Sequence, residues 1–304
     1  MTRWTIGTLS LVLAVFPALA AEPTPAPDVK IGMYQGMFRD VPPNVVAALA
    51  KPMKALLEKT VGVTGDAILL KDSEELAAAL NDKKVNVGVF HGFEFAWLKA
   101  KNPNLEPLLV AMPHGGRLQA CLVVPADSKV EKIADLNTDP IIVCKGTKAH
   151  CVVYLESLRK PLAANIAPPI SKPTLVLDEV LGEMCVGGHP AAIVDAGALE
   201  AYKNMNPGNA KGLKVICKSE YFPYGVLAIH KDNLTPEIKS KVVSGLTNAD
   251  KTAQGRPLMM LWNLKSFEEV PADYNDQITS LLKHYPAPAP KGTLEVIPVS
   301  RDKK

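Results

Sequence analysis

Residues 141–157 read IIVCKGTKAHCVVYLES, and the way this stretch folds decides the architecture of the chain. Four apolar residues, Ile141 to Cys144, make a run short enough for a buried strand; a Lys-Gly pair breaks it, and a segment of helical periodicity follows from about Lys148. A strand that runs through a tight turn straight into a helix is half of a βαβ unit. Repeated units of this kind build a parallel sheet with helices on both faces. In such sheets the loops from strand ends into helix N-termini form the ligand crevice. With Thr147 read as the N-cap, the amides of Lys148, Ala149 and His150 lack intrahelical acceptors, and the positive end of the helix dipole joins them. A turn built this way attracts anions. Gly146 supplies the bend, Lys145 and Lys148 add positive charge, and His150 adds to it when protonated. The ordinary alternative is a solvated first turn, capped by a threonine, that binds nothing.

The same alternation extends in both directions. Upstream come VKIGMY, NVVAALAKPMKALLEKTV, GDAILL, DSEELAAALNDK, VNVGVF, FEFAWLKAK and LEPLLVAM. Downstream of HGGRLQACLVVPADS it restarts with VEKIADL, DPIIVC, KAHCVVYLESL, PTLVL, DEVLGEMCVGG, PAAIVDAG, ALEAYKNM and LKVIC, before SEYFPYGVLAIH and a helix-rich stretch to about residue 285. Asp72 and Glu75 form a capping signature ahead of LAAAL, and Thr235-Pro236-Glu237 opens a helix with proline at its first position. The expected fold is therefore α/β, with two doubly wound lobes. Lobe 1 comprises residues 28–116 and 221–290, lobe 2 is inserted at 117–220, and the two crossovers between them form a hinge. Residues 291–304 form a tail in which LEVIPV has the pattern of an edge strand.

The first residues, MTRWTIGTLSLVLAVFPALA, carry one arginine, an apolar run too short to span a bilayer, and an A-x-A site ending at Ala20. This is the pattern of a signal peptide over residues 1–20, and it implies an exported, periplasmic product. Removing it takes away Arg3 and lowers the formal net charge from +3 to +2. So weak a bulk charge excludes nucleic acid as a partner, and any affinity for anions has to come from local placement. Five cysteines in an exported chain admit disulfides. Cys121 and Cys217, each in a strand-like run beside a crossover, are the favoured pair over the other pairings with Cys144, Cys151 and Cys185.

The block order resembles that of type II periplasmic substrate-binding proteins, specifically the phosphate, phosphite and phosphonate group that serves ABC importers. The stretches that carry the resemblance are VKIGMYQGM, VNVGVFHGFEFAWLKA, VVPADSKVEKIADLNTDPIIVCKGTKAHCVVYL, AAIVDAGALEAY and SEYFPYGVLAIHKDNLTPEIKSKV. It implies a monomer that closes on a small oxyanion and delivers it to a membrane permease, with no cofactor and no catalysis. It also implies a ligand site at the turn after IIVC, where this chain keeps Gly146 and Thr147 but carries lysines in place of the family's run of hydroxyl residues. Phosphate-like groups remain favoured there, and carboxylate or sulfate fits the altered chemistry too. Facing loops add Tyr34 and Gln35 after the first strand, and His91 with Gly92 at another helix start. Asp195 follows an apolar strand, where relatives place an acidic residue near the ligand; it serves equally well as an N-cap. Tyr224 sits at the return crossover, placed either to reach the cleft or to stiffen the hinge.

Two other functions compete. Cys144, His150, Cys151, Cys185 and His189, with Met33, Met37 and Met184, are soft donors suited to copper or zinc, although no close metal-ligand spacing occurs among them. A sensor feeding a membrane receptor uses the same fold. An enzyme with Cys151 or Thr147 as nucleophile, served by His150 and Asp195, is disfavoured because adjacent helical residues point about 100° apart.

Overall fold

The computed structural model describes residues 28–288 apart from 39–40, 49, 163–168 and 173; the signal-peptide pattern and the tail with LEVIPV lie outside the described residues. The short apolar runs become strands, in chain order β1 (Asp28–Tyr34), β2 (Thr64–Leu70), β3 (Val87–Phe90), β4 (Leu105–Pro113), β5 (Ala120–Pro125), β6 (Ile141–Cys144), β7 (Ile170–Lys172), β8 (Ala191–Asp195), β9 (Leu213–Lys218), β10 (Gly225–His230) and β11 (Leu264–Glu268). Strands β3, β6 and β8 are buried at every position, as expected of strands covered on both faces. The chain is two-lobed: one sheet has the order β11-β4-β10-β3-β1-β2, the other β7-β6-β8-β5-β9.

The sheets are mixed rather than purely parallel. β1 pairs in parallel with β2 and β3, and β6 with β7 and β8. β10 runs antiparallel to β3 and β4, and β5 antiparallel to β8 and β9. Both antiparallel strands are the first in their sheet after the chain crosses between lobes, so each crossover reverses the direction in which the chain enters. The crossovers also pair with each other. Leu118 and Phe222 form a bridge, with the Phe222 amide donating to Leu118 O at 2.8 Å. Ser219 N donates to Ala120 O at 2.9 Å while its hydroxyl oxygen accepts from Ala120 N at 2.9 Å. These bonds tie the two connecting strands into one hinge.

Three apolar clusters fill the lobes. One packs the outer face of the first sheet, around Ile31, Leu56, Leu227 and Leu258, and one packs a face of the second, around Val123, Leu181 and Tyr202. The third runs through both lobes, from Phe90 and Phe95 by way of Phe222 and Tyr285 to Leu122 and Leu155. The C-terminal helix Tyr274–His284 reinforces this shared core. Tyr274 donates its hydroxyl to Tyr224 O at 3.0 Å, and Tyr285 donates to Glu220 Oε2 at 2.7 Å, so both tyrosines hold the return crossover. Trp97 Nε1, from the helix Gly92–Lys99, donates to Tyr285 O at 2.8 Å.

The expected helix caps form. Asp72 accepts from the Glu75 amide at 2.9 Å, with Glu75 Oε2 accepting from Lys71 N, and Thr235 accepts from Ile238 N ahead of Pro236. PTLVL does not continue the alternation as a strand: the strand is Ile170–Lys172, and the helix Leu177–Met184 starts at the last leucine of that run. The Cys121–Cys217 disulfide is absent, and all five cysteines are free thiols. The reason is register. Cys217 pairs with Leu122 and Cys121 with Lys218, one residue apart, and alternation along a strand sends the two thiols to opposite faces. Cys121 packs in the second lobe's own cluster and Cys217 against the shared core.

Candidate functional site

The turn after β6 is made by Gly146, whose φ of 75° lies in the left-handed region where glycine carries no steric cost. It sends the chain into the helix Ala149–Arg159, but Thr147 is not the cap. Its hydroxyl donates to Cys144 O at 2.9 Å and its amide donates to the same carbonyl at 3.2 Å. The threonine therefore closes the turn back onto the strand. Lys148, extended at φ −64° and ψ 147°, is the N-cap, and its side chain does not cap. The set of exposed donors is correspondingly smaller than the sequence implied. The Lys145 amide donates to Leu175 O at 2.8 Å, and Cys151 N donates to Lys148 O at 3.0 Å. Ala149 and His150, at the first two helical positions, keep amides with no carbonyl one turn back.

Charge at the turn is paired rather than bare. Lys148 Nζ donates to Asp195 Oδ1 at 3.0 Å, and His150 Nε2 lies 3.2 Å from Asp195 Oδ2, in an oblique contact off the hydrogen-bond line. Asp195 also accepts from the Ala198 amide at 3.0 Å, so it is both the N-cap of the helix Ala196–Met205 and the counter-ion of the turn. Burial raises the Asp195 carboxyl, but the adjacent His150 ring and the hydrogen-bonded Lys148 ammonium outweigh it, and the net effect holds the acid below its ordinary value. Lys148 is one-third exposed and His150 almost wholly buried.

Across from this turn, β3 ends at Phe90 and delivers His91 as N-cap of the helix Gly92–Lys99. His91 Nδ1 lies 2.7 Å from Glu94 Oε2, three residues on, and 3.1 Å from the Tyr34 hydroxyl. Tyr34, at the end of β1, donates its hydroxyl to the same Glu94 oxygen. Its own burial, reinforced by Glu94, pushes the phenol far up, so it stays protonated and can only donate to that carboxylate. With Nδ1 turned to Glu94, the second ring nitrogen of His91 is the one left for other partners. Gly92 is required by proximity: a Cβ there would meet Pro223 O at 2.3 Å and Tyr224 O at 2.4 Å, so the helix start is pressed onto the return crossover. Aromatic contacts join the two histidines through that crossover. His91 stacks on Phe93 at 5.2 Å, Phe93 meets Phe222 at 6.3 Å, and Phe222 meets His150 at 5.4 Å.

Between the lobes lies a cavity of about 360 Å³. Of the residues singled out from the sequence, His91, Gly92, Gly146, Thr147, Lys148, Ala149 and His150 line it. Tyr34 is buried behind His91, and Gln35 follows it in a short 3-10 turn. Lys145 is exposed and does not line the cavity. Asp195 sits on the far side of Lys148, in a wider groove of about 790 Å³ that also holds Arg117 and Lys218. Tyr224 packs against the shared core and offers its carbonyl to Tyr274, which places it in the hinge. Sequence reasoning missed Glu94, Phe222 and the segment Leu261–Leu264. Glu94 carried a signal, an acid one turn from His91 in HGFEF; the segment's arrival at the cleft, more than a hundred residues along the chain from the turn, carried none.

Other expectations meet this geometry directly. His150 Nε2 and Cys151 Sγ do approach, at 3.5 Å, against the expectation that helical neighbours diverge. Cys151 is nevertheless fully buried, and burial together with Asp195 pushes its thiol well up, away from the nucleophilic thiolate. Among the described residues no three His, Cys, Asp or Glu side chains converge in a way that could hold a metal ion. Met33 and Met184 are core residues, and Met37 lines the cleft. No helix among the described residues is long and apolar enough to cross a membrane.

The same fold occurs in solved structures. The chain superposes on a chloride-bound protein from Xanthomonas citri with a TM-score of 0.58, at 14% identity, covering 85% of this chain and 97% of that one. PhnD1 from Prochlorococcus marinus, in complex with methylphosphonate, gives 0.56 at 12% identity over 84% of this chain and 97% of that one. A binding-protein component of a phosphonate ABC transporter from Pseudomonas aeruginosa gives 0.54 at 15% identity over 84% and 85%. Likeness at this identity establishes the fold. No protein of curated function matches the sequence significantly. Sequence kinship comes instead from a family whose pattern matches residues 36–274, most of the chain and both lobes, and which is described as ABC transporter, phosphonate, periplasmic substrate-binding protein. With that match added to the two-lobed fold, the chain belongs to the periplasmic substrate-binding proteins of phosphonate ABC transporters.

Proposed function

We propose that this solute-binding protein captures a phosphonate or phosphate-like oxyanion in the cleft between its lobes, with His91 on one side and the segment Gly146–His150 on the other. One observation carries the reading: a helix start with orphan amides and a lysine faces a carboxylate-held histidine across a cavity of about 360 Å³. The amides of Ala149 and His150 supply neutral donors aligned with the helix dipole, and Lys148 supplies charge-assisted ones. Asp195 holds Lys148 and His150 in place and tempers the lysine's charge, so the site suits an anion of low charge more than a bare polyanion. Closure about the crossovers would exclude water and strengthen every one of these bonds. Family membership makes the partner the membrane component of an ABC importer and the location extracytoplasmic. Export by the pattern at residues 1–20, action as a monomer, and freedom from catalytic duty complete the proposal. The lobe boundaries at residues 116/117 and 220/221 fall in the paired crossovers and belong to it too.

The test is thermal stabilisation by methylphosphonate and by inorganic phosphate. A ligand at a hundredfold excess over its Kd stabilises by about 2.7 kcal/mol. Lys148→Glu combined with His91→Ala should abolish that shift, read against the variant's own apo melting temperature, which falls because Asp195 and Glu94 lose their partners. An equal shift in variant and parent would remove both residues from the site.

A further inference from the structure

The two walls of the cleft differ in chemistry, and the difference narrows the ligand. The wall from the second lobe is the polar turn Gly146–His150. The facing wall from the first lobe, His91 and Asn263 aside, is apolar, with Met37, Phe38, Pro113, Leu261, Trp262 and Leu264 among its residues. These side chains are not all spent on the core: Leu261 is 54% exposed, and Met37, Phe38, Trp262 and Leu264 are only partly buried. A bare tetrahedral oxyanion has no apolar surface to lay against them. Lobes closing on such an ion would leave this wall facing either trapped water or a void, and a void forfeits dispersion contacts outright. The cavity, at about 360 Å³, is also in the range that organic ligands fill.

We propose that the ligand is an organic phosphonate bearing an apolar substituent of several carbons, and that inorganic phosphate and methylphosphonate are the weaker ligands of this cleft. The head group lies against His91 and the turn; the substituent lies on Phe38, Leu261, Trp262 and Leu264. This assignment rests on the oxyanion reading above and adds to it the chemistry of the ligand's other end.

The experiment is calorimetric titration with inorganic phosphate and with methyl-, propyl-, hexyl- and phenylphosphonate. Affinity should rise about fourfold for each methylene that reaches the wall. Phe38→Ser with Leu261→Ser should flatten that slope, lowering hexylphosphonate affinity more than methylphosphonate affinity. Leu261→Ser alone, at an exposed position that does not threaten the fold, should flatten it by a smaller amount. A parent that binds every member equally, or prefers phosphate, overturns the inference and leaves the oxyanion reading standing. A rising slope that survives both variants overturns the assignment of the substituent to this wall. Failure of phosphate and of every phosphonate to bind removes the oxyanion reading, and this inference with it.

Discussion

Both lobes bring a histidine to the cleft from a helix start, and both tie it to a carboxylate, but the carboxylates come from different distances along the chain. In the first lobe, Glu94 is three residues beyond His91 on the same helix, and Tyr34 joins them from the neighbouring β1. In the second, Asp195 arrives from the end of β8 and holds Lys148, 47 residues away in sequence, together with His150. The first arrangement survives as long as one helix does; the second exists only when β6 and β8 are paired. A lobe whose polar contacts are tertiary has more of its binding chemistry invested in its fold. The two walls should therefore respond differently to damage.

The largest effect is expected where the helix starts touch the hinge. Gly92 approaches the backbone oxygens of residues 223 and 224, whereas Gly197, in the first turn of the helix that Asp195 caps in the second lobe, has its hypothetical Cβ 2.6 Å from Gly115 O on the other crossover. Backbone atoms cannot rotate away as a side-chain tip can. Gly92→Val should cost about 3 kcal/mol, at the upper end for overpacking, and Gly197→Ala about 1 to 2 kcal/mol. Urea midpoints at constant m-value measure both. A Gly92→Val protein as stable as the parent would show that the first lobe does not lean on the return crossover, and would remove this part of the contrast.

A smaller effect separates the two carboxylates. Asp195→Asn keeps the shape and much of the N-cap but leaves Lys148 without its counter-charge and His150 without its carboxylate neighbour. Breaking a buried pair costs about 3 to 5 kcal/mol, and with Lys148 one-third exposed to screening solvent about 2 kcal/mol is the expected loss at pH 7. Its pH dependence has a definite sign. The folded Asp195 carboxyl is held below its ordinary value, so its contribution is fully present above the unfolded value of about 3.9 and fades as pH falls through the lower folded one. The gap between parent and Asp195→Asn should therefore close in acid. Glu94→Gln, on the local arrangement, should cost about 1 kcal/mol through its hydrogen bonds alone. Equal losses from both substitutions would mean that sequence separation tells nothing about how much each wall depends on the fold.

The same distinction explains what the sequence revealed. Strand and helix runs, the caps at Asp72 and Thr235, the two-lobed order and the cleft position of the turn depend on local pattern plus one topological rule, and these were readable. The cap at Thr147 was misread because a residue next to a left-handed glycine can turn its hydroxyl back onto the strand, and nothing in KGTKA says which way it turns. The Cys121–Cys217 pairing failed on a register offset of one residue, which no single strand encodes. The pairing of Asp195 with Lys148, the aromatic bridge through Phe222, and the apolar wall from Leu261 to Leu264 all arise from contacts between distant segments. The residue types were visible, but their meeting was not.

The smallest predicted effect tests the turn residue by residue. Lys145 and Lys148 flank the same glycine and thus looked equivalent in sequence. The fold separates them, because the left-handed bend at Gly146 leaves Lys145 exposed outside the cavity and carries Lys148 onto its lining, anchored by Asp195. An exposed lysine outside the cavity acts only through screened, longer-range attraction, which weakens over about 8 Å at physiological salt. Lys145→Ala should change stability by less than about 0.5 kcal/mol and methylphosphonate affinity by less than about threefold, with even that change disappearing in high salt. Lys148→Ala should lower affinity about tenfold or more, as expected for loss of a charge-assisted hydrogen bond, and the loss should persist in salt. Titrations of both variants at two ionic strengths separate a contact from a distant charge. Matching salt dependence in the two would place Lys148 outside direct reach of the ligand and leave His91 and the helix amides to hold the anion.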